Sequence, residues 1–123
     1  MKYHLEIYIL GLPKTVNALG RSHWAVKVKH NKKWQAEVSW AIISSGNKRP
    51  EKPLKKAEIL LTRYSSTEPD YDNLVNSFKC VLDALIINQI IENDNREVID
   101  YPTYAWQKCR PKEGRICVEV YEK

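Results

Sequence analysis

No stretch of this sequence approaches the ~20 consecutive apolar residues that a bilayer-spanning helix needs, which excludes a transmembrane helix. Residues Met1 to Leu10 alternate polar and apolar side chains and lack the cationic start and apolar run of a signal peptide. Cysteine is scarce: Cys80, Cys109 and Cys117 are odd in number and have no Cys-x-x-Cys spacing. That argues against a disulfide framework or a zinc ribbon and for a reducing compartment, so a cytoplasmic location is expected. The chain has no glycine-rich phosphate loop and no Ser-His-Asp set, and His4, His23 and His30 are scattered. Repeats, low-complexity tracts and interdomain linkers are also missing. What remains is a chain of 123 residues, 43% hydrophobic and 28% charged, the size and balance of one globular domain spanning 1–123.

Charge is unevenly distributed. Residues 1–56 hold 12 Lys/Arg against 3 Asp/Glu, and residues 57–123 hold 8 against 12, for a net charge of +5. A basic region beside an acidic one suits a protein that binds a polyanion and holds a cation near it. Lysines that simply keep a small protein soluble account for the same numbers.

Residues 3–10 alternate with period two and predict a strand. Residues 11–29, with Gly11, Pro13, Asn17, Gly20 and Ser22, predict a long basic loop. From Asn31 to Ser45 the positions of Trp34, Val38, Ala41 and Ile42 follow a helical period, which Gly46 and Pro50 end. Residues 57–64 predict a second strand, Tyr71 to Ile87 a second helix, and Asn88 to Asn95 a polar loop. Residues 97–108 and 115–122 predict two strands joined by a turn at Pro111 and Gly114, the first at an edge or bulged because Pro102 cannot donate to a ladder. The order β-α-β-α-β-β predicts an α+β domain in which two main helices pack on a small mixed sheet.

The chemistry is concentrated between residues 69 and 94. On a wheel of ~100° per residue, Leu74, Val75, Phe78, Val81, Leu82, Leu85 and Ile86 fall within one apolar arc. Asp72, Asn76, Lys79 and Asp83 share the opposite side, within about 60°. Such a ridge can be an ordinary solvated face, with Lys79 and Asp83 a surface pair worth ~0.3–0.5 kcal/mol and Asp70 or Asp72 a helix cap. Yet a cap needs one carboxylate, and two sit here, at the junction of turn and helix. Their mutual repulsion is relieved by a hard divalent cation. Asp94 supplies a third acid, provided the chain doubles back after the helix.

The run Asp70-x-Asp72-Asn73, then Lys79-x-x-x-Asp83-Ala84-Leu85, then Asn93-Asp94, resembles the RusA family of Holliday junction resolvases. Pro13-x-x-x-Asn17 and Arg21 are similar to that family's N-terminal loop, and Val98-Ile99-Asp100-Tyr101 and Gly114-Arg115 to its C-terminal strands. The likeness covers nearly the whole chain. It departs in two places: Asn76 stands where shorter members place Lys, so the Lys role falls to Lys79, and the paired acids read Asn93-Asp94.

The resemblance implies a RusA-like fold and a homodimeric endodeoxyribonuclease, bacterial or phage-encoded, acting in DNA recombination and repair. The enzyme would resolve four-way DNA junctions by paired symmetric phosphodiester hydrolysis. Asp70, Asp72 and Asp94 would ligate Mg²⁺, with Mn²⁺ as a substitute, and together with Lys79 form the catalytic set. Asp83 would support Lys79. Asn17, Arg21, Lys27, Lys29, Asn73 and Lys79 would contact branched DNA. No membrane and no small-molecule cofactor is expected. Trp24, in the basic loop, is a candidate for stacking on an exposed base, whereas Trp34 lies on the helical period and suits the core. Two other readings stay open: a branched-DNA-binding module of the same fold with impaired catalysis, and a protein-interaction domain whose basic face meets an acidic partner.

Overall fold

The computed structural model describes residues 2–14 and 24–123. Strand β1 (His4–Leu10) is followed by helix α1 (Trp24–Ser44), strand β2 (Ala57–Ser65), helices α2 (Tyr71–Ser77) and α3 (Lys79–Ile87), and a single-turn helix α4 (Arg96–Ile99). Strand β3 (Thr103–Lys108), a 3-10 turn (Pro111–Glu113) and strand β4 (Arg115–Glu122) complete the chain. The four strands form one sheet in the order β1-β4-β2-β3. β2 and β3 are parallel and the other pairs antiparallel, so the domain is α+β with a mixed sheet.

Period-two alternation gives the sheet two unlike faces. Leu5, Ile7 and Ile9 of β1 pair with Val120, Val118 and Ile116 of β4, and Ile59 and Leu61 of β2 continue the same face. These side chains join Trp34, Val38 and Ile42 of α1 and Val81 and Leu85 of α3 in one apolar core. Each contributes about 1.5–3 kcal/mol by leaving water. The other face carries Tyr8, Leu10, Tyr64 and Tyr121 among charged neighbours; His4 stacks on Tyr121, and the Arg115 guanidinium lies 4.3 Å from the Tyr64 ring.

Three boundaries differ from the sequence expectation. α1 begins at Trp24 rather than Asn31, so Lys27 and Lys29 are helical rather than part of a loop. The first turns of this helix bury nothing, and only Trp34, Val38 and Ile42 enter the core, so no apolar period marks its start. Trp34 is accordingly a core residue, and Trp24 is an exposed helix residue at 73% accessibility.

The helix expected over Tyr71 to Ile87 is interrupted at Phe78, where φ −89° and ψ −2° depart from helical values. The Phe78 N–H reaches back three residues to the Val75 carbonyl, and Ser77 Oγ donates to the Leu74 carbonyl. Phe78 is fully buried, with its ring beside that of Tyr104. Finally, Arg96–Ile99 is a helical turn rather than the start of a strand, because the Asn95 side chain caps it by accepting the Val98 N–H. β3 therefore begins only after Pro102, at the sheet edge, where a missing donor costs nothing. β3 and β4 are joined by a turn, but β2 lies between them in the sheet.

Candidate active site

A short turn after β2 delivers Asp70 to the N-cap position of α2. The Asp70 backbone carbonyl accepts the Leu74 N–H, but its side chain makes no cap hydrogen bond. The capping role is thus not taken up by the carboxylate, which stays exposed. Asp72 lies in the first helical turn, where the helix dipole favours negative charge. Asn76 turns its amide onto the Asp72 backbone carbonyl at 2.8 Å, so it is a local backbone partner. Asn73 is half-buried on the same helix.

Beyond the kink, Lys79 opens α3, and its ammonium is held by two carboxylates. Lys79 Nζ lies 2.9 Å from Asp83 Oδ1 and 2.5 Å from Asp94 Oδ2. The Asp83 contact is the expected i, i+4 pair. The Asp94 contact spans 15 residues and exists only because the chain reverses.

The reversal has identifiable causes. The Gln89 N–H bonds to the Ile86 carbonyl and the Ile90 N–H to the Leu85 carbonyl, with Gln89 left-handed at φ 61°. This is a Schellman ending, closed by packing of buried Ile90 near buried Leu85. The outgoing segment is then tied to residue 54: the Leu54 N–H donates to the Ile90 carbonyl and the Glu92 N–H to the Leu54 carbonyl. At the corner, buried Asn88 accepts from Ser39 Oγ (2.9 Å) and Arg49 Nη2 (2.9 Å) through Oδ1, and donates to the Ala84 carbonyl through Nδ2 (2.8 Å). Arg49 Nε also donates to the Asn88 carbonyl. Asn93 fixes the approach to Asp94 by accepting its backbone N–H at 2.7 Å.

Tyr104 of β3 closes the site. Its ring meets Tyr71 edge-on at 6.5 Å and Phe78 at 6.1 Å, linking the head of α2 to the Lys79 centre. Burial raises the Tyr104 hydroxyl pKa; Tyr71 and Asp94 raise it further, and Lys79 opposes them. The Lys79 pKa is also raised, first by its hydrogen bond to Asp94 and then by that to Asp83. Lys79 is therefore an ammonium at neutral pH, suited to stabilising negative charge rather than to accepting a proton.

The structure brings Lys79, Asp83 and Asp94 together, with Asp70 and Asp72 at the head of the helix that precedes them. Among the described residues, no three His, Cys, Asp or Glu side chains converge to hold a metal ion. Carboxylate oxygens suit a hard cation such as Mg²⁺, so the donor set fits in kind. In geometry the third carboxylate is engaged by Lys79. Asn17 and Arg21 lie outside the described residues. Lys27 and Lys29 project from α1, and the chain entering the basic segment is anchored at both sides: the Lys14 N–H donates to His30 Nε2, and buried Arg63 donates to the Pro13 carbonyl at 3.0 Å.

Sequence reasoning missed Asn88, Arg49 and Tyr104. Tyr104 was signalled weakly, as one of two aromatics alternating in Tyr104-Ala105-Trp106. Compared with protein-family models and with curated proteins, the chain matches none.

Proposed function

We propose that this protein is a Mg²⁺-dependent endodeoxyribonuclease that resolves four-way DNA junctions by paired phosphodiester hydrolysis in recombination and repair. The observation that carries the reading is the Lys79 ammonium, seated between Asp83 and an Asp94 returned from 15 residues away, downstream of the Asp70/Asp72 pair. A surface salt bridge needs neither the long-range return nor an Asp72 placed beside an Asp70 carboxylate that makes no cap bond. The resemblance of these residues to the RusA family supplies the substrate class.

In this mechanism Asp70, Asp72 and Asp94 would hold the ion, two from the head of α2 and one from the returning loop. An ion held there would supply a water of lowered pKa and charge neutralisation at the scissile phosphate. Lys79 would add a positive charge for the developing transition state, and Asp83, 2.9 Å from its ammonium, would hold that charge in place. Tyr104, with Phe78 behind it, shields one side of the Lys79 centre. Lys27, Lys29 and Asn73, with Asn17 and Arg21, would take phosphates of the junction arms. A two-fold homodimer presents two equivalent sites to a junction of matching symmetry, one for each strand to be cut.

One observation favours the catalytically impaired binding module as the second reading: among the described residues there is no preformed carboxylate triplet, and Asp94 is paired with Lys79. A nicking assay on a synthetic four-way junction separates the two. Symmetric Mg²⁺-dependent nicks, lost with EDTA, support the enzyme. Tight junction binding without nicks supports the module, and absence of both moves the assignment to a protein-interaction domain.

A further inference from the structure

A basic groove lies apart from the Lys79 centre, at the end of the sheet where β2 begins and β4 ends. It encloses about 660 Å³ between Tyr3, the segment 48–56 and the C-terminal Glu122 and Lys123. Six cations line it, Lys48, Arg49, Lys52, Lys55, Lys56 and Lys123, against two acids, Glu51 and Glu122. One of those acids is committed, since Glu122 Oε1 accepts the Tyr3 N–H at 2.7 Å. Arg49 is held by Asn88, and Lys56 Nζ donates to the Glu97 carbonyl. Lys48, Lys52, Lys55 and Lys123 are exposed and have no ion-pair partner among the described residues.

We infer that this groove seats the phosphodiester backbone of duplex DNA. Four unneutralised ammonium groups around one concavity repel each other, and a polyanion that displaces their counterions relieves that repulsion. Ammonium groups act as point charges, not as the planar forks that read base edges in pairs. Among the described residues that line the groove, Tyr3 is the one aromatic and its hydroxyl is spent on the Lys48 carbonyl, while the one planar fork, Arg49, is held by Asn88, so lysine ammonium groups dominate what the groove presents. Backbone contact without sequence preference is what remains.

The groove walls are also stiff for a loop. Pro50 and Pro53 restrict the backbone, and Leu54 is hydrogen-bonded to residues 90 and 92. That same strap leads to Asp94. Tyr104 pairs in register with Leu61, four residues beyond Ala57, so the groove lies about 13 Å along β2 from the level of Tyr104. This is roughly four base-pair steps along a duplex. The choice of DNA over another polyanion rests on the function proposed above, whereas the preference of the groove for an anion does not.

The test is binding of a short unbranched duplex, followed by fluorescence anisotropy from about 50 to 200 mM KCl in EDTA. The variant is Lys48→Gln/Lys52→Gln/Lys55→Gln, three exposed changes checked for folding by circular dichroism. If each lysine neutralises one phosphate, the slope of log affinity against log salt becomes shallower by about 2.7. The control Lys108→Gln/Lys112→Gln, at the opposite end of the sheet, leaves the slope unchanged. Equal slopes for the groove variant and the unaltered protein overturn the inference. So does an equal loss per charge in the control, which makes net charge the cause, and so does no duplex binding by the unaltered protein at the lowest salt. A normal groove result with no junction cleavage in Mg²⁺ overturns the proposed function and leaves the groove standing.

Discussion

Replacing Asn88 with alanine should destabilise the protein by about 2.5 kcal/mol, more than any substitution of a surface residue. Asn88 is only 5% exposed, yet its amide makes three hydrogen bonds to three different parts of the chain. The bond from Arg49 Nη2 is charge-assisted, in a class that contributes about 1.5–3 kcal/mol, and the bonds to Ser39 and Ala84 are neutral, about 0.5–1.5 kcal/mol each. Arg49 is exposed and Ser39 half-buried, so both rehydrate in part, and the single Ser39 hydroxyl proton is left to the Gln35 carbonyl. Lower limits therefore apply: about 1.5 kcal/mol for Arg49 and about 0.5 for each neutral bond. For a domain of this size the loss corresponds to a fall of about 10 °C in Tm. Urea unfolding followed by tryptophan fluorescence measures it, with Ser39→Ala, which removes the one hydroxyl proton shared between Asn88 and the Gln35 carbonyl, as a comparison expected to cost about 0.5–1 kcal/mol. A loss below about 0.5 kcal/mol for Asn88→Ala would show that the hub does not hold the corner that returns Asp94 to Lys79.

Two further outcomes bear on the same centre. Gln89→Gly should stabilise by about 0.5–1 kcal/mol in the same unfolding assay, because glycine takes the left-handed position without the Cβ penalty and loses only part of that gain to unfolded-state entropy. Lys79→Ala should reduce junction cleavage far more than junction affinity, read by single-turnover nicking and by gel shift; equal losses in both would make Lys79 a simple phosphate anchor.

Legibility in the sequence varied with the physical origin of each element. Alternation marked β1, whose side chains are buried at every second position, and the apolar runs at 57–64 and 115–122 marked the more buried β2 and β4, each to within about a residue. The apolar arc of the second helix was equally plain, because Leu74, Phe78, Val81, Leu82 and Leu85 are all buried, while Asp72, Asn76 and Lys79 are exposed opposite them. The start of α1 left no trace, since the residues Trp24 to Lys33 bury nothing and lysine is acceptable in loop and helix alike. The interruption at Phe78 was also silent, since no glycine or proline marks it. Arg96–Ile99 could have been read from Asn95, a favoured cap residue followed by Glu97 in the first turn.

The site divides in the same way. The i, i+4 pairing of Lys79 with Asp83 is a local consequence of helical geometry and was legible. The return of Asp94 was not, because it depends on the Asn88 hub and the Leu54 strap, both made by residues far apart in sequence. The run Lys48, Arg49, Lys52, Lys55, Lys56 was visible as composition, but only the fold gathers it around a groove with Lys123.

The central claim, that separated carboxylates serve one ion at a DNA phosphate, is tested most directly by Asp72→Asn assayed on a four-way junction. Asparagine keeps the shape and removes the charge, so Mg²⁺-dependent nicking should vanish while junction affinity in EDTA stays equal or rises, a repelling carboxylate having been removed beside phosphate. Cleavage by this variant at the rate of the unaltered protein would contradict the account.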